Sequence, residues 1–137
     1  MTRIPARLRQ RVARRARFRC EYCKAPRRIT GQTFHIDHIQ PESKGGKATS
    51  ENLCFCCPRC NQVRGSKITA TDPVTQQMVS LFNPRRHQWN THFEWSSNFT
   101  RIVGITPIGR ATVRALKLNS RERVEGRKLW LLLNLIP

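Results

Sequence analysis

Two kinds of chemically capable cluster occupy the first half of the chain. In FHIDHIQPESKGG (Phe34–Gly46), Asp37 sets a carboxylate beside the imidazole of His38. A carboxylate binds a hard divalent cation through oxygen. Imidazole, whose ordinary titration lies nearest neutral pH, accepts a proton from water. Side by side they are the equipment of hydrolysis at a metal-bound centre. Neither residue is informative singly, because a histidine at a strand end is usually a satisfied surface group.

The second cluster is made of thiols. Cys20-Glu-Tyr-Cys23 and Cys57-Pro-Arg-Cys60 each place two cysteines with two residues between them. That spacing lets both sulfurs of a pair reach one tetrahedral centre, with Zn–S bonds of about 2.3 Å. Four thiolates make a closed structural zinc site, worth on the order of 10 kcal/mol of folding energy. Disulfides or a redox pair are the alternatives, but no apolar signal segment points to an oxidising compartment. Cys54 and Cys56, within NLCFCC, read as small buried strand residues, with ligand exchange into the zinc site as the other possibility.

Positioning these groups requires particular elements. Pro5 suits a helix start, and Leu8, Val12 and Ala16 recur at helical spacing, which predicts a basic helix to about residue 16. TFHIDHI reads as a strand, PESKGGKATSEN as a polar loop and LCFC as a second strand. Pro58 then opens a helix that Gly65 can end, so the second thiol pair sits at a helix start. Because consecutive strand residues face opposite sides, Asp37 and His38 can serve one site only where the strand ends and twists. Asn61 adjoins Cys60, so a metal held by the thiols would also fix the position of that amide.

In this order, CEYC, FHIDHIQPESKGG and ENLCFCCPRCNQVRGSK resemble the HNH endonucleases, the zinc-knuckled branch of the ββα-metal (His-Me finger) nucleases, over Arg11–Lys67. The resemblance implies an α+β fold with a ββα-metal core stapled by zinc on Cys20, Cys23, Cys57 and Cys60. It implies Asp37 and Asn61 as ligands of a catalytic Mg²⁺ or Mn²⁺, and His38 as general base. Asn52 stands at the middle Asn that braces the loop and orients the base, and Asn61 replaces the final His of the name-giving pattern. Arg64 and Lys67, three and six residues beyond Asn61, are candidates to touch phosphate. The expected activity is metal-dependent hydrolysis of phosphodiester bonds in DNA, leaving 5′-phosphate and 3′-hydroxyl ends. RNA stays open, because the chemistry does not choose the sugar. The competing reading is a zinc-dependent nucleic-acid-binding module without cleavage.

Charge supports a polyanionic partner. The formal net charge is +18, and MTRIPARLRQRVARRARFR contains no acid. Such a field concentrates phosphates and gains from counterion release. No apolar run long enough to span a bilayer occurs, and LWLLLNLIP reads as a packed helix end. The expected setting is cytoplasmic and nucleoid-associated, in a bacterium or phage, with a homodimer plausible if both strands are cut.

Residues 1–70 are thus expected to form the nuclease domain with its Arg-rich helix, and residues 71–137 a C-terminal α/β extension packed on it. TATDPVTQQMVSLFNPRRHQWN reads as an irregular crossing segment. THFEWSSNFTRIVGIT reads as a hairpin with Phe93 and Trp95 on one face. Helices are expected from Thr106-Pro107 to about Leu118, and from a cap at Asn119 or Ser120 through Trp130. Trp89, Phe93, Trp95, Phe99 and Trp130 are expected to form a small core or to pack on the nuclease domain, with stacking on bases or wedging into a groove as the alternative. His87 and His92, five apart with no partner thiolate, are not expected to hold a metal, and His35 is expected on the outer surface, with a place behind the catalytic metal's ligands as the other reading.

Overall fold

The computed structural model describes residues 3–137; Met1 and Thr2, where the basic stretch begins, lie outside the described residues. The chain divides into two compact units. The first runs up to Ile68 and takes in Asn83–Arg86, and the second comprises Thr69–Phe82 and His87–Pro137.

In the first unit, helix α1 (Ala6–Arg15) is built almost wholly of Ala, Leu, Arg and Gln, all strong helix formers. Val12 and Ala13 are buried, while Leu8 and Ala16 are half-buried. Not every arginine of this helix faces solvent as a free charge. Arg15 donates to the carbonyls of Ser50 (3.0 Å) and Leu53 (2.8 Å), tying α1 to the segment that follows. After the first thiol pair comes a short helix, α2 (Arg27–Thr30), ended by Gly31 at φ +66°.

Strand β1 (His35–His38) pairs antiparallel with β2 (Leu53–Cys56), with Asp37 opposite Cys54 and His38 opposite Leu53. All four residues of β2 are buried, which explains its unbroken run of small and apolar side chains. Helix α3 (Pro58–Arg64) follows at once. Pro58 occupies the first turn, and the Cys57 sulfur caps it by accepting from the Cys60 N–H at 3.3 Å. The expected strand–loop–strand–helix order is present, and the fold is mixed α+β, consistent with a zinc-stapled ββα-metal core.

The second unit contains two hairpins. Strands β3 (Thr69–Thr71) and β4 (Met78–Ser80) pair antiparallel, where the sequence suggested an irregular crossing. Asp72 makes that turn. Its carboxylate accepts from the N–H groups of Val74 (3.1 Å) and Thr75 (3.3 Å) and from the Thr75 hydroxyl (2.8 Å). Arg110 grips the same carboxylate through Nε and Nη2, both at 2.9 Å. Helix α4 (Trp89–His92) leads into β5 (Phe93–Trp95), which pairs with β6 (Ile102–Gly104) in the expected hairpin.

Helix α5 (Pro107–Ala115) is capped by Thr106, whose hydroxyl accepts from the Gly109 N–H at 3.0 Å. Helix α6 (Arg121–Leu132) starts after Ser120, which makes no side-chain cap. Asn119 does not cap either: its amide pairs with both backbone groups of Ile102, each at 2.8 Å. Arg127, 1% exposed, donates to Thr100 and Leu118 carbonyls and lies between Trp95 and Trp130. Two packing expectations fail. Phe99 is 42% exposed because it sits at the β5–β6 turn with φ +60°, and Leu129 and Leu131–Leu133 face solvent at the end of α6.

Candidate active site

Four thiols converge within the first unit. The sulfurs of Cys20, Cys23, Cys57 and Cys60 all lie within 4.8 Å of one another, and all four residues are buried. Cys23 Sγ and Cys57 Sγ are 3.7 Å apart, close to the ~3.8 Å edge of a tetrahedron with Zn–S bonds of about 2.3 Å. The donor set and its spacing suggest a structural zinc. Cys54 and Cys56 are buried on β2 outside this cluster. Burial pushes the Cys54 thiol up to about 12, as suits a neutral packed sulfur near the Tyr22 hydroxyl (3.9 Å).

Between the first two thiols, Glu21 stitches this knuckle to β2. Its N–H donates to the Phe55 carbonyl (2.9 Å), and its Oε2 accepts from the Phe55 N–H (2.8 Å). The other carboxylate oxygen pairs with Arg85, so residues 83–86 close over this edge of the unit. Nothing in the CxxC spacing announces that role, since the residue between metal ligands is ordinarily free to vary.

The loop joining β1 to β2 is built around Asn52. Its Oδ1 accepts from the Gln40 N–H (2.8 Å), while its Nδ2 donates to the carbonyls of Gln40 (3.1 Å) and Lys47 (2.8 Å). The Asn52 carbonyl in turn accepts from the Ile39 N–H at 2.8 Å. Gly46 is required by the same closure, because a Cβ there would stand 1.7 Å from the Gln40 carbonyl oxygen. Residues immediately after His38 are therefore clamped at both ends.

At the end of β1, His38 Nε2 lies 3.4 Å from Glu42 Oε1, and the imidazole is 13% exposed. Asp37 Oδ2 lies 3.5 Å from Arg64 Nη2. Neither Asp37 Oδ2 nor His38 Nε2 has a hydrogen-bond partner, although both atoms are buried. Burial raises the Asp37 carboxyl above the usual carboxylate range, with Arg64 opposing that shift. His35 is exposed, on the outer surface.

Arg64 corrects the expectation that it touches phosphate. The residue is 2% exposed. Its guanidinium donates to the carbonyls of His38 and Ile39, the latter at 3.1 Å from both terminal nitrogens, and to Lys67 at 3.3 Å. Arg64 therefore turns inward from α3 and holds the strand end. Asn61 precedes it by three residues, hence on a neighbouring part of the same helix surface, and is half-buried. Lys67 is exposed, with Nζ 3.2 Å from the Val63 carbonyl.

This strand end, clamped loop and thiol-anchored helix lie in a segment that matches the HNH endonuclease family over residues 20–67. Residues 20–67 are an HNH endonuclease domain. The HNH domain is also similar to part of the CRISPR-associated endonuclease Cas9 of Corynebacterium diphtheriae, 44% identical over 48 residues. Those residues make up 34% of this chain and 4% of that Cas9. No solved structure matches the chain. Among the described residues, no helix is long and apolar enough to cross a membrane.

Proposed function

We propose that the chain is a metal-dependent endonuclease that hydrolyses phosphodiester bonds in DNA. One observation carries the reading: two buried polar atoms, Asp37 Oδ2 and His38 Nε2, sit at one strand end of an HNH domain without hydrogen bonds. Buried polar atoms are ordinarily satisfied, and exceptions concentrate where a ligand or reaction completes them.

The donor set fits a hard divalent cation. Asp37 offers a buried carboxylate oxygen that has no hydrogen-bond partner. Asn61, on the helix that the thiol cluster anchors, offers an amide oxygen. Together they would hold Mg²⁺ or Mn²⁺. Such a cation, when bound, supplies Lewis-acid stabilisation of charge on the phosphate and on the departing 3′-oxygen.

His38 takes the proton from the attacking water. Glu42 beside Nε2 favours the tautomer that keeps its proton on that nitrogen, which leaves Nδ1 as the base. General-base assistance of this kind is typically worth about 10²–10⁴-fold. Arg64 holds the backbone of His38 and Ile39, and Asn52 holds the loop, so the imidazole is aimed before substrate arrives.

The test is nicking of supercoiled plasmid by the zinc-loaded chain. Nicks should appear on addition of Mg²⁺ or Mn²⁺, with 5′-phosphate and 3′-hydroxyl ends. Binding to DNA without any cation-dependent nicking would leave only a zinc-dependent binding module.

A further inference from the structure

A cleft of about 380 Å³ opens in the first unit between α1 and the β1–β2 pair. Its floor is apolar: Phe34, Ile36 and Phe55, with the Phe34 and Phe55 rings 5.1 Å apart. Its rim is basic: Arg9, Arg14 and Arg27. Ile36 pairs with Phe55 immediately beside the Asp37–Cys54 pair, and neighbouring strand residues face opposite ways. The cleft therefore lies across the strands from Asp37.

Phe18 forms one wall, and its setting is unusual. It is 40% exposed although it borders an apolar floor. Both Arg17 (φ +55°) and Phe18 (φ +57°) adopt the left-handed conformation, which side chains other than glycine seldom take. The turn is held by Phe18 N–H to the Ala13 carbonyl and Arg27 N–H to the Phe18 carbonyl, each 3.0 Å. The guanidinium carbon of Arg27 sits 4.6 Å above the Phe18 ring. The result is a solvent-facing platform of stacked guanidinium and phenyl, two residues before the first zinc ligand.

We propose that this cleft is a second nucleic-acid subsite, which stacks one unpaired nucleobase against Phe18 and Arg27 and places its flanking phosphates on the basic rim. The inference rests on nucleic acid being the partner, and not on how the chain cleaves it. Charge complementarity selects the occupant. Among the described residues no acidic side chain lines the cleft, and Arg7, Arg11 and Arg14 extend the positive surface along the exposed face of α1. Arg9 commits its Nε to the Ile4 carbonyl and Arg27 lies over the Phe18 ring, so Arg14 is the main phosphate donor. An unpaired base fits where a duplex does not, because paired bases hide their faces in the stack. Aromatic rings and guanidinium planes are the usual platforms for such bases.

The test measures binding by the full zinc-loaded chain carrying His38→Ala, with no divalent cation added. Fluorescence anisotropy compares a short labelled oligodeoxythymidylate with an abasic strand of equal length. The wild-type cleft should bind the base-bearing strand about tenfold more tightly. Phe18→Leu should remove that preference and leave the abasic strand's affinity unchanged. Arg14→Gln, at an exposed helix position that does not threaten folding, should weaken both strands equally. Equal affinity of the parent for the two strands would overturn the proposal, as would Phe18→Leu weakening both alike. If Phe18→Leu loses zinc, Arg27→Gln and the parent's strand preference decide the matter by the same criteria. Absence of plasmid nicking would bear on the nuclease reading alone.

Discussion

Arg64 Nη2 stands 3.5 Å from Asp37 Oδ2, joining the last residue of helix α3 to the carboxylate of strand β1. The same nitrogen donates to the carbonyls of His38 and Ile39. One buried guanidinium thus fixes the backbone at His38 and the charge environment of Asp37. The thiol cluster that holds α3 is coupled through Arg64 to the strand end.

Arg64→Met removes the guanidinium donor from the His38, Ile39 and Lys67 carbonyls and leaves the Asp37 carboxylate without the cation beside it. Loss of one partner from such a buried arrangement costs about 3–5 kcal/mol. Cleavage should fall by roughly 100-fold, the scale of a misplacement near 1 Å. Arg64→Lys should recover the charge and only part of the rate, since one ammonium cannot reproduce the fork. Urea unfolding and steady-state nicking rates measured together separate the two effects. Unchanged nicking by Arg64→Met would show that the strand end needs no such support.

The loop prediction concerns Asn52. Asn52→Ala deletes three hydrogen bonds around Gln40 and Lys47 and should cost about 1–3 kcal/mol. Asn52→Asp keeps the acceptor for the Gln40 N–H but loses both donors, so its defect should be intermediate. In kinetics the loss should fall on kcat rather than KM, because the loop aims a residue instead of holding substrate.

Zinc removal should act on one unit first. Native mass spectrometry is expected to show one zinc per chain, lost in Cys57→Ser. A strong chelator should then melt the first unit, given about 10 kcal/mol of folding energy from such a site. Tryptophan fluorescence should change less, because Trp89, Trp95 and Trp130 all belong to the second unit. A zinc-free chain with Cys20–Cys60 or Cys23–Cys57 disulfides would contradict this.

How much of this was legible beforehand depended on the kind of signal. The thiol spacing and the strand–loop–strand–helix order were readable because each rests on local geometry: two residues between ligands, a proline at a helix start, a glycine at its end. The inward turn of Arg64 was not, since an arginine three residues after Asn61 looks like any solvated helix end. Burial of its guanidinium depends on carbonyls 25 and 26 residues away. The β3–β4 hairpin was missed for a similar reason. Its strands are three residues each, and its turn is organised by an Asp72–Arg110 pair that links residues 38 apart.

That pair makes a prediction about pH. Arg110, with the neighbouring N–H and hydroxyl donors, holds the Asp72 carboxyl well below the usual carboxylate range. A depressed folded-state pKa stabilises above the unfolded value and is lost as pH falls toward the folded one. The Tm gap between wild type and Asp72→Asn, followed by tryptophan fluorescence, should be full above about pH 5 and shrink below about pH 4. A gap that stays constant down to acid would mean that charge is not what Asp72 contributes.

The most direct measurement is nicking by His38→Ala in Mg²⁺ or Mn²⁺, with zinc content and DNA affinity recorded on the same sample. Cleavage should drop by about 100-fold or more while zinc and DNA binding stay at wild-type levels. Full cleavage by the zinc-loaded variant would contradict a general-base role for His38 and the site built around it.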